Sequence, residues 1–469
     1  MVQSILKERE SSIIEAGSEH AVGCAVKNKD LVCNQGSAAG AVSQKACVFC
    51  GARVVLNPIT DAFHIIHGPI GCSSYTWDIR GSLSSGSELY RHSFSTDMQE
   101  TDIIFGGEKK LAQAIDEAVA TYSPKLIFVY ATCIVGVIGD DVEAVCRQAE
   151  QRHVARNGGM GLRVIPVMAP GFSGHKAIGY KLAGDAIMRF IGTKPYPRNK
   201  AHGINILGDF NLAGETWIVR SYLENLRIEV LGSLTGDSSS ESLLCAREAR
   251  LNVVQCAGSS INLAEKMQDI LGIPYIRVSF YGIEDTVDSI MRIAQTLAAQ
   301  TPGADMRGLV SRAEQFCLRE SKRLNDALEP YRTRLVGNRA AIYVGGGFKA
   351  ISLIRQFREL DMDTVMVGTQ TGRPEDYEVI RALVSPGCIV LDDANPAELE
   401  KFMVEKGADI LVGGVKERPL AYKLGVAFCD HNHERKYPLA GFVGVENFAQ
   451  EINRSVNSPV WRYANKRQS

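Results

Sequence analysis

The chain of 469 residues has no apolar run near the roughly 20 residues needed to cross a bilayer. It also lacks a surplus of charge of either sign: 52 Lys and Arg stand against 53 Asp and Glu, a formal net charge of −1. Nucleic-acid binders need a basic face to displace counterions from phosphate, and membrane-surface proteins need a polybasic segment, so both classes are disfavoured. The first residues, MVQSILKERESSII, are polar and charged where a secretory leader would be apolar. A cytoplasmic location is therefore expected, where thiols stay reduced. No GxxxxGK(S/T) phosphate loop occurs, and no second CxxC follows the one at 47–50.

What the sequence has in number is cysteine: twelve, too many to pass over as packing residues, so metal or redox chemistry is the leading question. Apolar residues make up 45% and charged residues 22%, the mix of a globular protein, and the length predicts about three domains.

A short β-branched run, a loop holding Gly, Cys or Ser, and an amphipathic helical stretch recur along the chain. LIFVYATC (126–133), LRVIPVMAPGFSG (162–174), GINILGDFNLAGE (203–215), LNVVQCAGSS (251–260) and AAIYVGGGF (340–348) each begin such a unit. TVMVG (364–368), CIVLDD (388–393) and DILVGG (409–414) continue the series. Continuous apolar strands alternating with helices predict an α/β fold of parallel sheets flanked by helices. Pro- and Lys-rich GTKPYPRNKAHG (192–203) and the long charged helical pattern ending near Val336 suggest boundaries. The expected organisation is a poorly ordered arm over 1–45 and α/β domains over 46–198, 199–336 and 337–469.

In open α/β sheets ligands bind where strands run into helices. Cys133 and Cys256 stand at such junctions, Cys72 lies in the Gly/Pro-punctuated loop HGPIGCSSY, and Cys47 opens CVFCGARVVLNP. Cys47, Cys72 and Cys133 are 25 and 61 residues apart, which fits neither a zinc ribbon nor a ferredoxin run. CVFC is the best local metal or redox signal, since CxxC suits zinc, iron–sulfur and thioredoxin-like sites. The plain alternative is separate buried thiols, because free Cys is among the most buried residue types. For Cys146, Cys245 and Cys317, inside helical patterns, that alternative is the expectation. GGGFKA (345–350) fits the dinucleotide pattern G-x-G-x-x-A. The next strand, TVMVGTQTG, ends without the acid that would hold a ribose, which argues against NAD.

The longer motifs HIIHGPIGCSSYTWDIRGSLSSG (64–86), SFSTDMQETDIIFGGEKKL (93–111), TCIVGVIGDDVEAVC (132–146), GFSGHKAIGYKLAGDAI (171–187) and NVVQCAGSSINLAEKM (252–267) resemble the nitrogenase component 1 superfamily from about Cys47 onward. Within it the resemblance is to the NifE-type branch of scaffold subunits, including vanadium-system counterparts. The resemblance implies three Rossmann-like domains, as in nitrogenase component 1 α-subunits, and a NifN-like β-type partner in an α2β2 heterotetramer. It implies that Cys47, Cys72 and Cys133 hold a 4Fe–4S or P-cluster-like iron–sulfur cluster at the subunit interface. Cys50 lies outside that matched set, as an alternative ligand or a buried neighbour.

Cys256 matches the cysteine that holds one end of the large iron–sulfur cofactor or its precursor, of the FeMo-co or FeV-co type. The opposite anchor, a His in catalytic α-subunits, falls on Asn432, flanked by His431 and His433; an amide is a weak ligand for a soft site. A one-residue shift would bring either His into the role, and the plain alternative for both is an exposed charged turn. The proton-donating His of catalytic nitrogenase falls on Tyr180, and a phenol relays protons poorly at neutral pH. His175 lies nearby in sequence. Arg80, Lys349 and Lys176 match positive residues near the cofactor, where fixed cations offset the cost of burying an anionic cluster.

The resemblance implies a scaffold and not a catalyst: a precursor is held while molybdenum or vanadium and homocitrate are added, with the nitrogenase iron protein as transient partner. The alternative is a catalytic α-type subunit of a nitrogenase-like reductase, such as a methylthio-alkane reductase, driven by an iron protein.

Overall fold

The computed structural model describes residues 10–17, 31, 33, 46–77, 83–84, 92–153, 161–192, 202–300 and 304–462. Strand β1 (Ile13–Glu15) is the first in the chain and joins the C-terminal sheet. The described residues fall into two compact units, one over Ala46–Arg277 and one over Val278–Ser469 with the described part of the N-terminal stretch.

In the first unit, β2 (Ala62–His67), β3 (Ser93–Ser95), β4 (Leu126–Ala131) and β5 (Arg163–Met168) form a parallel sheet in the order β3-β2-β4-β5. AFHIIH and LIFVYA are buried at every position, as strands covered on both faces must be. A second parallel sheet, in the order β7-β6-β8-β9, comprises β6 (Gly203–Leu207), β7 (Glu229–Leu234), β8 (Leu251–Val254) and β9 (Tyr275–Arg277). One apolar cluster runs through both, from Leu56 and Phe128 to Leu207 and Leu263. The two sheets thus share a core, although the sequence suggests a boundary between them.

The helices that carry the site here are α1 (Val48–Leu56), α2 (Ile70–Trp77), α3 (Cys133–Ile138), α4 (Lys176–Ile191) and α5 (Ala257–Leu271). Two glycines bring α1 and α4 into backbone contact. A Cβ on Gly51 would lie 2.0 Å from the Lys176 carbonyl oxygen, and one on Gly179 would lie 2.0 Å from the Val48 carbonyl oxygen. Only glycine permits so close a crossing.

In the second unit, β10 (Arg339–Val344), β11 (Asp363–Thr369), β12 (Ile389–Asp392), β13 (Ile410–Gly413) and β14 (Ala427–Asp430) are parallel, in the order β12-β11-β10-β13-β14. Helices α6 (Ile283–Gln300) and α7 (Ala304–Leu335), expected in the middle domain, belong to this unit. Ile290, Ile293, Ala294 and Leu297 give α6 one buried stripe, and Phe316 of α7 meets Phe442 edge-on with ring centroids 5.6 Å apart. The unit also holds α8 (Gly347–Glu359) and α9 (Gly441–Val456).

The arm expected to be poorly ordered needs a correction over its described part. Ile13 and Ile14, β-branched and suited to a strand, pair antiparallel with Leu391 and Val390 at the edge of β12. Glu15 adds an ion pair to Lys406 at 2.6 Å. Cys24 and most of the arm lie outside the described residues.

Candidate metal centre

Cys47, Cys72 and Cys133 each stand at the first turn of a short helix in the first unit. Cys47 is the N-cap of α1 with an extended backbone, Cys72 lies in the first turn of α2 at the end of β2, and Cys133 opens α3 at the end of β4. Strand ends and helix starts from distant parts of the sequence therefore deliver the thiols, and all three are partly exposed.

Cys47 and Cys133 meet at the turn of Gly171. A Cβ placed there would lie 3.0 Å from the Cys133 sulfur and 3.6 Å from the Cys47 sulfur. The Gly171 amide donates to the Cys133 sulfur at 3.1 Å. Burial raises the Cys72 thiol, and the neighbouring Cys133 and Cys47 sulfurs raise it further, which places the three within electrostatic reach. The Thr132 hydroxyl beside Cys72 opposes that rise, while its proton goes to the His67 carbonyl at 2.9 Å. Cys47 is lowered to about 6, chiefly by a hydrogen bond from Cys50, with help from the Phe49 and Cys50 amides and against the effect of burial. Its backbone is pinned by a bridge to His175 and by the Lys176 amide, which donates to Ala46 at 2.8 Å.

Among the described residues no three His, Cys, Asp or Glu side chains make a site for one metal ion. Thiolates that hold an iron–sulfur cluster bind separate irons and need not meet at one point. The donor set fits such a cluster: soft thiols with N–H and O–H groups turned to their sulfurs, and no competing carboxylate among the three. Exposed apolar side chains rim the site, with Ile70 and Tyr75 on α2, Val137 on α3 and Phe172 beside Gly171. Apolar side chains grouped around partly open ligands form a surface suited to a partner.

Cys256 stands apart as the N-cap of α5, just past β8. Gly208, at the matching end of β6, has φ +85°, and a Cβ on it would lie 2.8 Å from the Cys256 amide nitrogen. A left-handed residue without a side chain is needed for that approach. Tyr180 on α4 senses both Cys256 and Cys50; burial first, then those two sulfurs, raises its phenol far above the ordinary value. Tyr180 therefore keeps its proton at neutral pH. Lys176 opens α4, and His175 caps it through a ring nitrogen that accepts from the Ala177 amide at 3.4 Å. Arg80 lies outside the described residues.

In the second unit, His431 follows β14 and is fully buried, unlike the exposed turn weighed as its plain alternative. Tyr281 and Phe448 meet its ring edge-on, with centroids at 4.9 and 6.2 Å, and neither ring nitrogen has a hydrogen-bond partner among the described residues. Burial, then the Lys349 and Arg435 charges, holds it neutral. Lys349 donates to the His431 carbonyl at 3.2 Å and stands 5.5 Å from the Tyr281 ring centroid. Asn432 and His433 are half-buried, and the Asp430 carboxylate accepts from both amides, at 2.9 and 2.8 Å. The side chains at 431 and 433 are thus not equivalent: the first is an unpartnered neutral imidazole, and the second accepts from the Val415 amide at 3.4 Å.

Gly171, Thr132, Tyr75 and Gly208 were not singled out in the sequence. Their roles are contacts across separate elements, which no local pattern displays.

The profile of the nitrogenase component 1 type oxidoreductases matches residues 47–457. The nitrogenase iron–molybdenum cofactor biosynthesis protein NifE of Clostridium pasteurianum is 59% identical, over 98% of this chain and 97% of its own length. The protein of the same name from Methanosarcina barkeri is 49% identical over 93% and 94%. Among solved structures, nitrogenase Cp1 at pH 6.5 superposes with a TM-score of 0.87 at 28% identity, covering 100% of this chain and 98% of the other.

Proposed function

The chain belongs to the nitrogenase component 1 type oxidoreductase family, and from that premise we propose that it is a scaffold subunit on which the nitrogenase iron–molybdenum cofactor is assembled. The observation that carries the reading is the division of its cysteines. Of three partly exposed thiols, Cys47 and Cys133 flank Gly171 and Cys72 lies within their electrostatic reach, and a fourth, Cys256, stands apart at its own strand end.

Cys47, Cys72 and Cys133 would hold the resident iron–sulfur cluster, which supplies electron transfer when bound. A β-type, NifN-like subunit would cover the exposed side chains of Ile70, Tyr75, Val137 and Phe172 and complete the ligand set in an α2β2 heterotetramer. Gly171 and Thr132 stabilise thiolate charge through hydrogen bonds, which are stronger to a charged acceptor than to a neutral one.

The cofactor precursor is the cargo. Cys256 offers it a single thiolate, and Lys176 is a candidate cation from the same unit. Lys349, Asn432, His431 and His433 are the candidates of the second unit, His431 being the one with a neutral, unpartnered imidazole suited to a metal. Tyr180, half-buried and holding its proton, supports storage of the cargo over its reduction. No helix among the described residues is long and apolar enough to cross a membrane. The nitrogenase iron protein would be the transient source of electrons and heterometal.

The test is to isolate the chain with its co-purifying partner under strict exclusion of oxygen and count iron and sulfide. The complex is then mixed with cofactor-free nitrogenase, and separately supplied with iron protein, ATP and dithionite. Activation of the apo-nitrogenase without turnover of acetylene supports the scaffold. Sustained acetylene or thioether reduction with the cofactor retained would replace it with the reductase reading.

A further inference from the structure

We propose that Cys47 and Cys50 form a reversible disulfide when the site holds no cluster, and that this bond withdraws Cys47 from the cluster's ligand set. The second half of the proposal rests on the assignment of Cys47 as a ligand under the proposed function; the first half rests on geometry alone.

CVFC is placed so that its two sulfurs share the first turn of α1. Cys47 is the N-cap, and the Gly51 amide already closes a helical bond to its carbonyl at 3.2 Å. Three residues along a helix separate Cα atoms by about 5 Å, inside the range that a disulfide spans. The exposures are unequal: Cys47 is partly open, whereas Cys50 is only 2% exposed. An open sulfur followed three residues later by a buried one is the arrangement of a nucleophile and its resolving thiol in CxxC oxidoreductase motifs.

The surroundings keep the turn in this shape. Gly51 lies against the Lys176 backbone with no room for a Cβ, and the Lys176 amide holds Ala46, so α1 cannot unwind at its start without parting from α4. The Tyr75 hydroxyl reaches Cys50 from α2, the helix that also carries Cys72. Cys133 is the nearest rival for Cys47, but it sits across the Gly171 turn on a separate helix.

The reaction balances with a small-molecule disulfide of the glutathione class as oxidant. The Cys47 thiolate attacks one sulfur of that disulfide; a Cys47–sulfur bond forms and one small thiolate leaves. The Cys50 sulfur, giving up its proton to solvent, then attacks the Cys47 sulfur and expels the second small thiolate. Two protein thiols and one disulfide become one protein disulfide and two small thiols. A dithiol of the same class reverses both steps.

The experiment uses the full chain stripped of iron by a chelator and exposed to oxidised glutathione, then blocked with iodoacetamide and cut with trypsin. Cleavage after Lys45 and Arg53 gives one peptide, ACVFCGAR, that holds both cysteines. The expected product is this peptide two hydrogens lighter and unalkylated, converted to the doubly alkylated form by dithiothreitol. Iron taken up on reconstitution should fall with the disulfide fraction and return on reduction. Cys50→Ala should stop at the first step, with Cys47 joined to one glutathione and no intramolecular disulfide, and should load iron normally when it has not been oxidised. A doubly alkylated peptide after oxidation, or Cys47 joined to Cys72 or Cys133, overturns the proposal. A disulfide that leaves iron uptake unchanged overturns the coupling and counts against Cys47 as a ligand. Absence of the disulfide with normal iron uptake sinks the inference alone and leaves the proposed function standing.

Discussion

Gly179 lies so close to Val48 that a Cβ on the glycine would stand 2.0 Å from the valine's carbonyl oxygen and 2.5 Å from the Ala52 amide nitrogen. The contact is backbone on backbone, so no side chain can move aside. Val48 is the residue after Cys47, and whatever parts α1 from α4 therefore moves a candidate ligand. Gly179→Ala should destabilise the first unit by about 1–3 kcal/mol, the usual cost of overpacking. Iron bound at the three-thiol site should fall with it. Urea denaturation and iron analysis check this; unchanged values in both would mean that the helices separate without strain.

The cysteines should come apart by function. Cys72→Ala removes a thiol from the surface rimmed by Ile70 and Tyr75, so loss of the small cluster and weaker pairing with the β-type subunit are expected. Cys256→Ala should spare both and abolish retention of the cargo, since Cys256 stands at a separate strand end. Gel filtration, iron counts and electron paramagnetic resonance of each variant distinguish the outcomes. Simultaneous loss of both iron centres in Cys256→Ala would show that the two sites are not independent.

Much of this was legible in the chain. Buried parallel strands announce themselves as continuous β-branched runs, and LIFVYA, GINIL and ILVG are strands where the pattern expects them. Motif resemblance supplied the candidate cysteine set, which spacing alone could not, because its members stand on separate elements far apart in the chain. The long charged helical pattern ending near Val336 is α7, and its Phe316 packs edge-on against Phe442 of α9 within the C-terminal unit, a contact its charge pattern does not display. Nor could sequence reveal that His431 is buried, since HNHERK is hydrophilic throughout. The ring of Tyr281, far earlier in the chain, and that of Phe448, on the following helix, meet it edge-on.

Thr132 should tune the centre. Its hydroxyl carries one proton, which it gives here to the His67 carbonyl and can turn to a Cys72 thiolate, favouring negative charge on sulfur. Hydrogen bonds to ligand sulfurs are among the levers that set iron–sulfur potentials. Thr132→Val should lower the midpoint potential of the bound cluster, because electron density left on the sulfur disfavours reduction. It should also cost roughly 0.5–1.5 kcal/mol for a lost buried hydrogen bond. A redox titration of the loaded complex measures the first effect and denaturation the second; a potential that rises or stays fixed would remove Thr132 from the centre.

Acid should weaken the first unit through His64. The ring is fully buried between Phe128 and Tyr130, with Nδ1 2.9 Å from the Tyr130 hydroxyl. Burial first, then the Arg53 charge and His92, keeps it neutral well below its ordinary range. The folded form thus resists protonation that the unfolded chain accepts at about pH 6.5. Its contribution is present above that pH and is lost as pH falls toward the folded value, by up to about 1.4 kcal/mol per pH unit. His67, also held down by burial despite Asp140, adds to the slope in the same direction. Urea midpoints measured from pH 7.5 down to pH 5 should therefore decline. His64→Asn, which keeps an acceptor near the Tyr130 hydroxyl but cannot titrate, should flatten the decline while lowering stability at pH 7.5. If the variant and the parent lose stability in parallel, the acid-sensitive group lies elsewhere.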